Sequence, residues 1–110
     1  MSKAIKPDVE KLVTVELEAA NVKFPLFTSA HEGYAVLLEE VEELKAEVET
    51  VERELEHTWR WIKSSKQGWP TNPLTAIAEL ESAATAAACE AIQVAAMCRK
   101  FREISERVTT

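Results

Sequence analysis

The stretch FTSAHEGYAVLLEEVEELKAEVETVERELEHTWRWI, residues 27–62, decides the fold. Within it Phe27, Ala30, Tyr34, Leu37, Val41, Leu44, Val48, Val51, Leu55, Thr58 and Ile62 follow one another at alternating steps of three and four. That spacing holds an apolar stripe on one face of a single long α-helix and predicts that the stripe faces partner helices in a bundle or coiled coil. Ser29 with Glu32 three residues later forms a capping box that opens the helix, which gives Glu32 a structural role. Trp59 and Trp61, near the far end, are expected to be core or interface anchors.

Working outward, Val9, Leu12, Val13, Glu16, Leu17 and Ala20 trace a helical period with one polar interruption, which predicts a first helix from near Pro7 to Val22. Pro7 suits its first turn. A break is expected at Lys23, Phe24, Pro25 and Leu26. On the other side, Ser64 to Pro73 reads as a loop, with Asn72 able to cap a third helix and Pro73 to start it. That helix is expected to run to about Arg107 on a seam of Ile77, Leu80, Ala84, Ala87, Ala91, Val94, Cys98 and Phe101. Its alanines predict close helix packing around Ala83 to Ala96. The expected fold is all-α: one domain over 1–110, an antiparallel long-helix hairpin plus an N-terminal helix. Two or three long helices cover their own stripes poorly, so a bundle completed by oligomerisation is expected.

The chain is 46% hydrophobic and 29% charged, a globular composition. Its net charge of −6, from 19 acidic against 13 basic residues, would repel a phosphate backbone or an anionic membrane surface. No apolar run follows Met1 and none reaches membrane-spanning length, so a cytoplasmic protein with no nucleic-acid or membrane partner is expected. Cys89 and Cys98 would lie about 13 Å apart along one helix, too far for a disulfide, and are expected to be reduced.

There is no glycine-rich phosphate loop, no paired-His or Cys-x-x-Cys metal motif and no nucleophile with a base partner. What remains is a set of glutamates. At 100° per residue Glu40, Glu43 and Glu47 fall within about 60° of one another beside the apolar stripe, with Glu39 about 40° beyond Glu43. Like charges at this spacing disfavour a helix, so the cluster needs solvent or a cation. Oxygen ligands alone would suit Mg²⁺ or Mn²⁺ rather than zinc. A solvated acidic face of a coiled coil is the plain alternative. On the third helix Glu90 flanks the alanine seam, and counting from the loop sets it at nearly the height of Glu43 in an antiparallel hairpin.

The segments HEGYAVLLEEVEEL (31–44) and EAIQVAAMCRKF (90–101) resemble the MazG-like all-α nucleoside triphosphate pyrophosphohydrolase superfamily, most of all its small bacteriophage-encoded type. The family signature is EExxE on one helix and ExxD on the next. Glu39, Glu40 and Glu43 match the first motif, and Glu90 matches the opening of the second. Gln93 stands where the family has aspartate, and the stretch from Glu43 to Glu90 is longer than usual. The resemblance covers roughly residues 27 to 104. It implies an Mg²⁺-dependent (or Mn²⁺-dependent) hydrolase that splits a nucleoside triphosphate into monophosphate and pyrophosphate. Glu39, Glu40, Glu43 and Glu90 would be the metal ligands, Glu39 and Glu40 the catalytic residues, and a homo-oligomer, dimer or tetramer, the working form. The rival expectation is a non-catalytic helical interaction protein using its acidic face, and a further one is an acidic mimic that blocks a nucleic-acid-binding protein.

Overall fold

The computed structural model contains three helices in the order α1 (Lys6–Lys23), α2 (Ala30–Lys63) and α3 (Pro73–Thr109). It describes residues 4–24, 26–63 and 73–109, and in α3 the side chains of 75–103. No strand occurs among the described residues. The expected loop at 64–72, Asn72 included, and Pro25 lie outside them.

Both ends of α1 and the start of α2 have a local cause. Pro7 sits in the first turn of α1, Asp8 beside it faces the positive end of the helix dipole, and Lys23 occupies the last turn. Ser29 Oγ accepts a hydrogen bond from the Glu32 backbone N–H at 3.1 Å, which caps α2. The other half of the capping box does not form. The Glu32 carboxylate accepts from the Thr28 hydroxyl instead. α1 and α3 are each slightly longer than the sequence pattern indicates, reaching Lys23 and Thr109.

α2 and α3 pack as an antiparallel pair. Gly33 meets the Phe101 ring near the start of α2, and ten residues further along α2, Glu43 meets Glu90. The glycine is required there: a Cβ at position 33 would stand 2.5 Å from Phe101 Cδ2 and 3.2 Å from Phe27 Cδ2. The two rings meet at 6.4 Å between centroids and 58° between planes, a tilted aromatic contact.

Only half of the α2 stripe is used within the chain. Leu37, Leu44, Val51 and Thr58 are half-buried, while Tyr34, Val41, Val48, Leu55 and Ile62 are exposed. The row that completes the contact is Gly33, Glu40, Glu47, Glu54 and Trp61, so the line of contact is rotated about 60° from the centre of the apolar stripe. α3 repeats the pattern, with Leu80, Ala87, Val94 and Phe101 half-buried and Ile77, Ala84, Ala91 and Cys98 exposed. The small α3 side chains leave room for glutamates along this line of contact. Close packing in the alanine region is present: Ala83 and Ala96 are buried.

α1 lies across α3. Val13 and Leu17 bury themselves with Ala96, with Ile92 and Met97 packed alongside. Arg99 Nη1 donates to Thr14 Oγ1 at 2.7 Å. Lys100, only 3% exposed, donates to the Phe24 carbonyl just past the end of α1 and holds its ammonium 4.7 Å from the Phe27 ring centroid. A cation at the negative end of a helix, over an aromatic face, explains how a lysine is buried there.

The molecule is elongated, 68 × 30 × 24 Å, with a radius of gyration of 18.8 Å against about 13 Å for a compact domain of this length. None of the described helices is long and apolar enough to cross a membrane.

Candidate metal site

Because the line of contact runs through the Glu40 row, the antiparallel pairing brings carboxylates from both helices together. Glu40 projects from that row, Glu43 from its edge, and Glu90 from the facing row of α3. One oxygen from each of the three lies within 4.8 Å of the others. Glu40 and Glu90 are half-buried and Glu43 is exposed. Glu39 is exposed and stands outside this converging set.

Gln93, one turn after Glu90, joins the cluster. With its amide nitrogen turned to the carboxylates it donates to Glu40 Oε2 at 3.1 Å and to Glu90 Oε2 at 3.2 Å. The opposite amide orientation would aim its oxygen at the same two acceptors, which is favourable only with a cation between them.

The electrostatics follow from crowding. Burial, then the charges of Glu43, Glu90, Glu39 and Glu16, raise the pKa of Glu40 above 4.5. Burial, the charge of Glu43, a hydrogen bond with Glu43 and the charge of Glu47 raise that of Glu90. The site therefore holds protons more tightly than free carboxylates do, and a divalent cation would compete with those protons.

The donor set fits a hard cation. Two oxygens on one Mg²⁺ stand at most about 4.2 Å apart, so the three carboxylates would need to draw in only by small side-chain rotations. Beside the cluster, Glu16, Ala20, Lys23, Glu40, Gln93 and Met97 line an open cleft of about 310 Å³ between α1 and the hairpin. It shares Ala20, Lys23 and Met97 with a second cleft of about 420 Å³, whose walls include Phe24, Phe27, Val36 and Lys100.

Of the four glutamates named from the sequence as ligands, Glu40, Glu43 and Glu90 come together and Glu39 does not. Glu16, which lines the cleft beside them, is an addition, and Gln93, singled out from the sequence as the departure from the family motif, bonds two of them. The polar interruption of the α1 stripe at position 16 was the signal for the first. For Gln93 no sequence pattern announces a hydrogen bond to Glu40, since the two are far apart in the chain. Comparison with known protein families, curated proteins and solved structures finds no match.

Proposed function

We propose that this protein is a divalent-cation-dependent nucleoside triphosphate pyrophosphohydrolase, or a nucleotide-binding relative of one, with its centre at Glu40, Glu43 and Glu90. The observation that carries the reading is the convergence of these three carboxylates, from two helices, to within 4.8 Å. The substrate class comes from the resemblance of residues 31–44 and 90–101 to the MazG-like superfamily.

On this reading Glu40, Glu43 and Glu90 would hold Mg²⁺ or Mn²⁺, and the Gln93 amide oxygen would be available beside them. A cation held there would supply charge neutralisation for the triphosphate and Lewis acidity for an attacking water, the chemistry that a split into monophosphate and pyrophosphate needs. Glu39 is the outer carboxylate of the catalytic pair with Glu40, and its charge already acts on Glu40. Lys23, where the two clefts meet, supplies a positive charge for phosphate, and Phe24, Phe27, Val36 and Met97 offer an apolar wall for a base.

The test is pyrophosphate release from the common ribo- and deoxyribonucleoside triphosphates in Mg²⁺ and in Mn²⁺. The wild type should release it and Glu90→Gln should not. If no triphosphate is hydrolysed or bound with either metal, this reading fails. The second reading then stands, a non-catalytic helical interaction protein with an acidic face. One observation favours it: the Gln93 amide can donate hydrogen bonds to Glu40 and Glu90 with no cation at all.

A further inference from the structure

The net charge of −6 is unevenly spread along the chain. Between Glu56 and Glu79 the sequence has no acidic residue, while Arg60, Lys63 and Lys66 are basic and all three tryptophans, Trp59, Trp61 and Trp69, fall in the same stretch. All 19 acidic side chains lie outside it, against 10 basic ones. The fold sets this stretch at one end of the hairpin. α2 ends at Lys63 and α3 begins at Pro73, whereas α1 packs on α3 from Ala88 to Lys100, toward the opposite end.

The described residues of the free end combine apolar and cationic groups. Trp59 is 51%, Ile62 48% and Ile77 47% exposed. Trp59 and Ile62, three apart on α2, share a face. Lys63, one turn after Trp59, is exposed and holds its ammonium 5.5 Å from the Trp59 ring centroid. Glu56 meets the Arg60 guanidinium at 3.2 Å, so among the described residues Lys63 carries the charge that this end presents.

We propose that this end docks on an anionic lipid surface, with the Trp59 ring at the headgroup level, Ile62 and Ile77 against the acyl boundary and Lys63 among the anionic headgroups. The proposal uses none of the carboxylates and does not rest on the catalytic reading.

Charge and chemistry select this occupant. An anionic lipid surface favours each lysine or arginine beside it by about fivefold in partition, and it takes tryptophan because the ring is apolar with one polar edge. The whole-chain charge, which argues against such a surface, is not the charge that the surface meets. Repulsion reaches only about a Debye length, roughly 8 Å at physiological ionic strength, and the molecule is 68 Å long. Glu43, twenty residues before Lys63, stands about 30 Å back along α2 and is out of range in an end-on approach. A single-stranded nucleic acid is the other polyanion that a basic aromatic end could meet. It would stack on rings and leave Ile62 and Ile77 in water, whereas the acyl boundary covers both.

Wild type should co-sediment with phosphatidylcholine vesicles containing about 30% phosphatidylserine, at a partition coefficient at least about tenfold above that for phosphatidylcholine alone, and high salt should release it. Lys63→Glu removes an attraction and adds a repulsion, so it should lower that partition at least about tenfold. Lys11→Glu makes the same charge change on α1, remote from the surface, and should leave partition within about twofold of wild type. Trp59→Ala should weaken binding while the salt dependence stays, and circular dichroism should show unchanged helicity in all three variants. In a chain carrying Trp61→Phe and Trp69→Phe, Trp59 emission should shift to the blue on the anionic vesicles and be quenched by lipids brominated high on their acyl chains. Absent binding, equal binding to both vesicles, or equal losses from Lys63→Glu and Lys11→Glu overturns the proposal. Binding of a single-stranded oligonucleotide that Lys63→Glu and Trp59→Ala abolish, with the vesicles left unbound, overturns it as well and assigns this end to nucleic acid.

Discussion

Gln93 and the three carboxylates around it make opposite demands on the site, and substitutions separate them. Gln93→Asp removes a donor to Glu40 and Glu90 and adds a like charge one turn from Glu90, which should cost a few tenths of a kcal/mol without metal. With Mg²⁺ or Mn²⁺ present the sign should reverse, because the added oxygen ligand tightens binding; isothermal titration of the metal checks this. Wild type should gain thermal stability in proportion to the logarithm of excess Mg²⁺, and Glu40→Gln with Glu43→Gln should abolish the gain. If the double variant is more stable and its response to metal unchanged, the cluster is a repulsive solvated face. The pH dependence has a definite sign. Glu40 and Glu90 are raised above 4.5 when folded, so the native chain holds protons that the unfolded chain releases. Their contribution to stability is present in full below the unfolded value and is lost as pH rises through the raised folded values. The melting temperature of wild type in chelator should therefore decline more steeply above pH 4.5 than that of Glu90→Gln, and saturating Mg²⁺ should remove the difference.

At the scale of the helices, one glycine and one rotation decide how α2 meets α3. In an open helix Gly→Ala stabilises by about 1 kcal/mol. At Gly33 the new methyl would collide with the Phe101 ring, which is itself held against Phe27, and overpacking of that kind costs about 1–3 kcal/mol. Gly33→Ala should therefore be destabilising, by about 1 kcal/mol net, in urea unfolding; a stabilised variant would mean that the ring moves freely aside. The existence of three helices was legible because their patterns are long and periodic, and the start of α2 because Ser29 makes a local bond to the Glu32 backbone. The rotation of the contact was not. Periodicity gives the direction of an apolar stripe, but α3 offers small side chains and α2 offers Gly33, and the closest approach of the backbones follows those rather than the centre of the stripe.

For the whole molecule, the excess exposed surface links stability to concentration. If the apolar side is covered by a second copy, dilution exposes it, so the melting temperature should rise with protein concentration over the micromolar range. A melting temperature constant over a hundredfold dilution, in a chain that sediments as a monomer, would show that the open three-helix form is stable alone. The sequence by itself determined the all-α class, the three helices, the antiparallel pairing of the long pair and the shared height of Glu43 and Glu90. Each of these follows from helical period, from proline and serine at helix ends, and from a fixed rise per residue. Only the tertiary structure decided that Glu40 enters the contact while Glu39 stays outside, that Gln93 bonds Glu40 and Glu90 while Glu16 lines the cleft beside them, and which half of the apolar stripe remains uncovered. Those outcomes depend on how far each helix turns about its axis and where α1 crosses α3, and that choice is made by side-chain volumes meeting across the chain, which spacing along it does not encode.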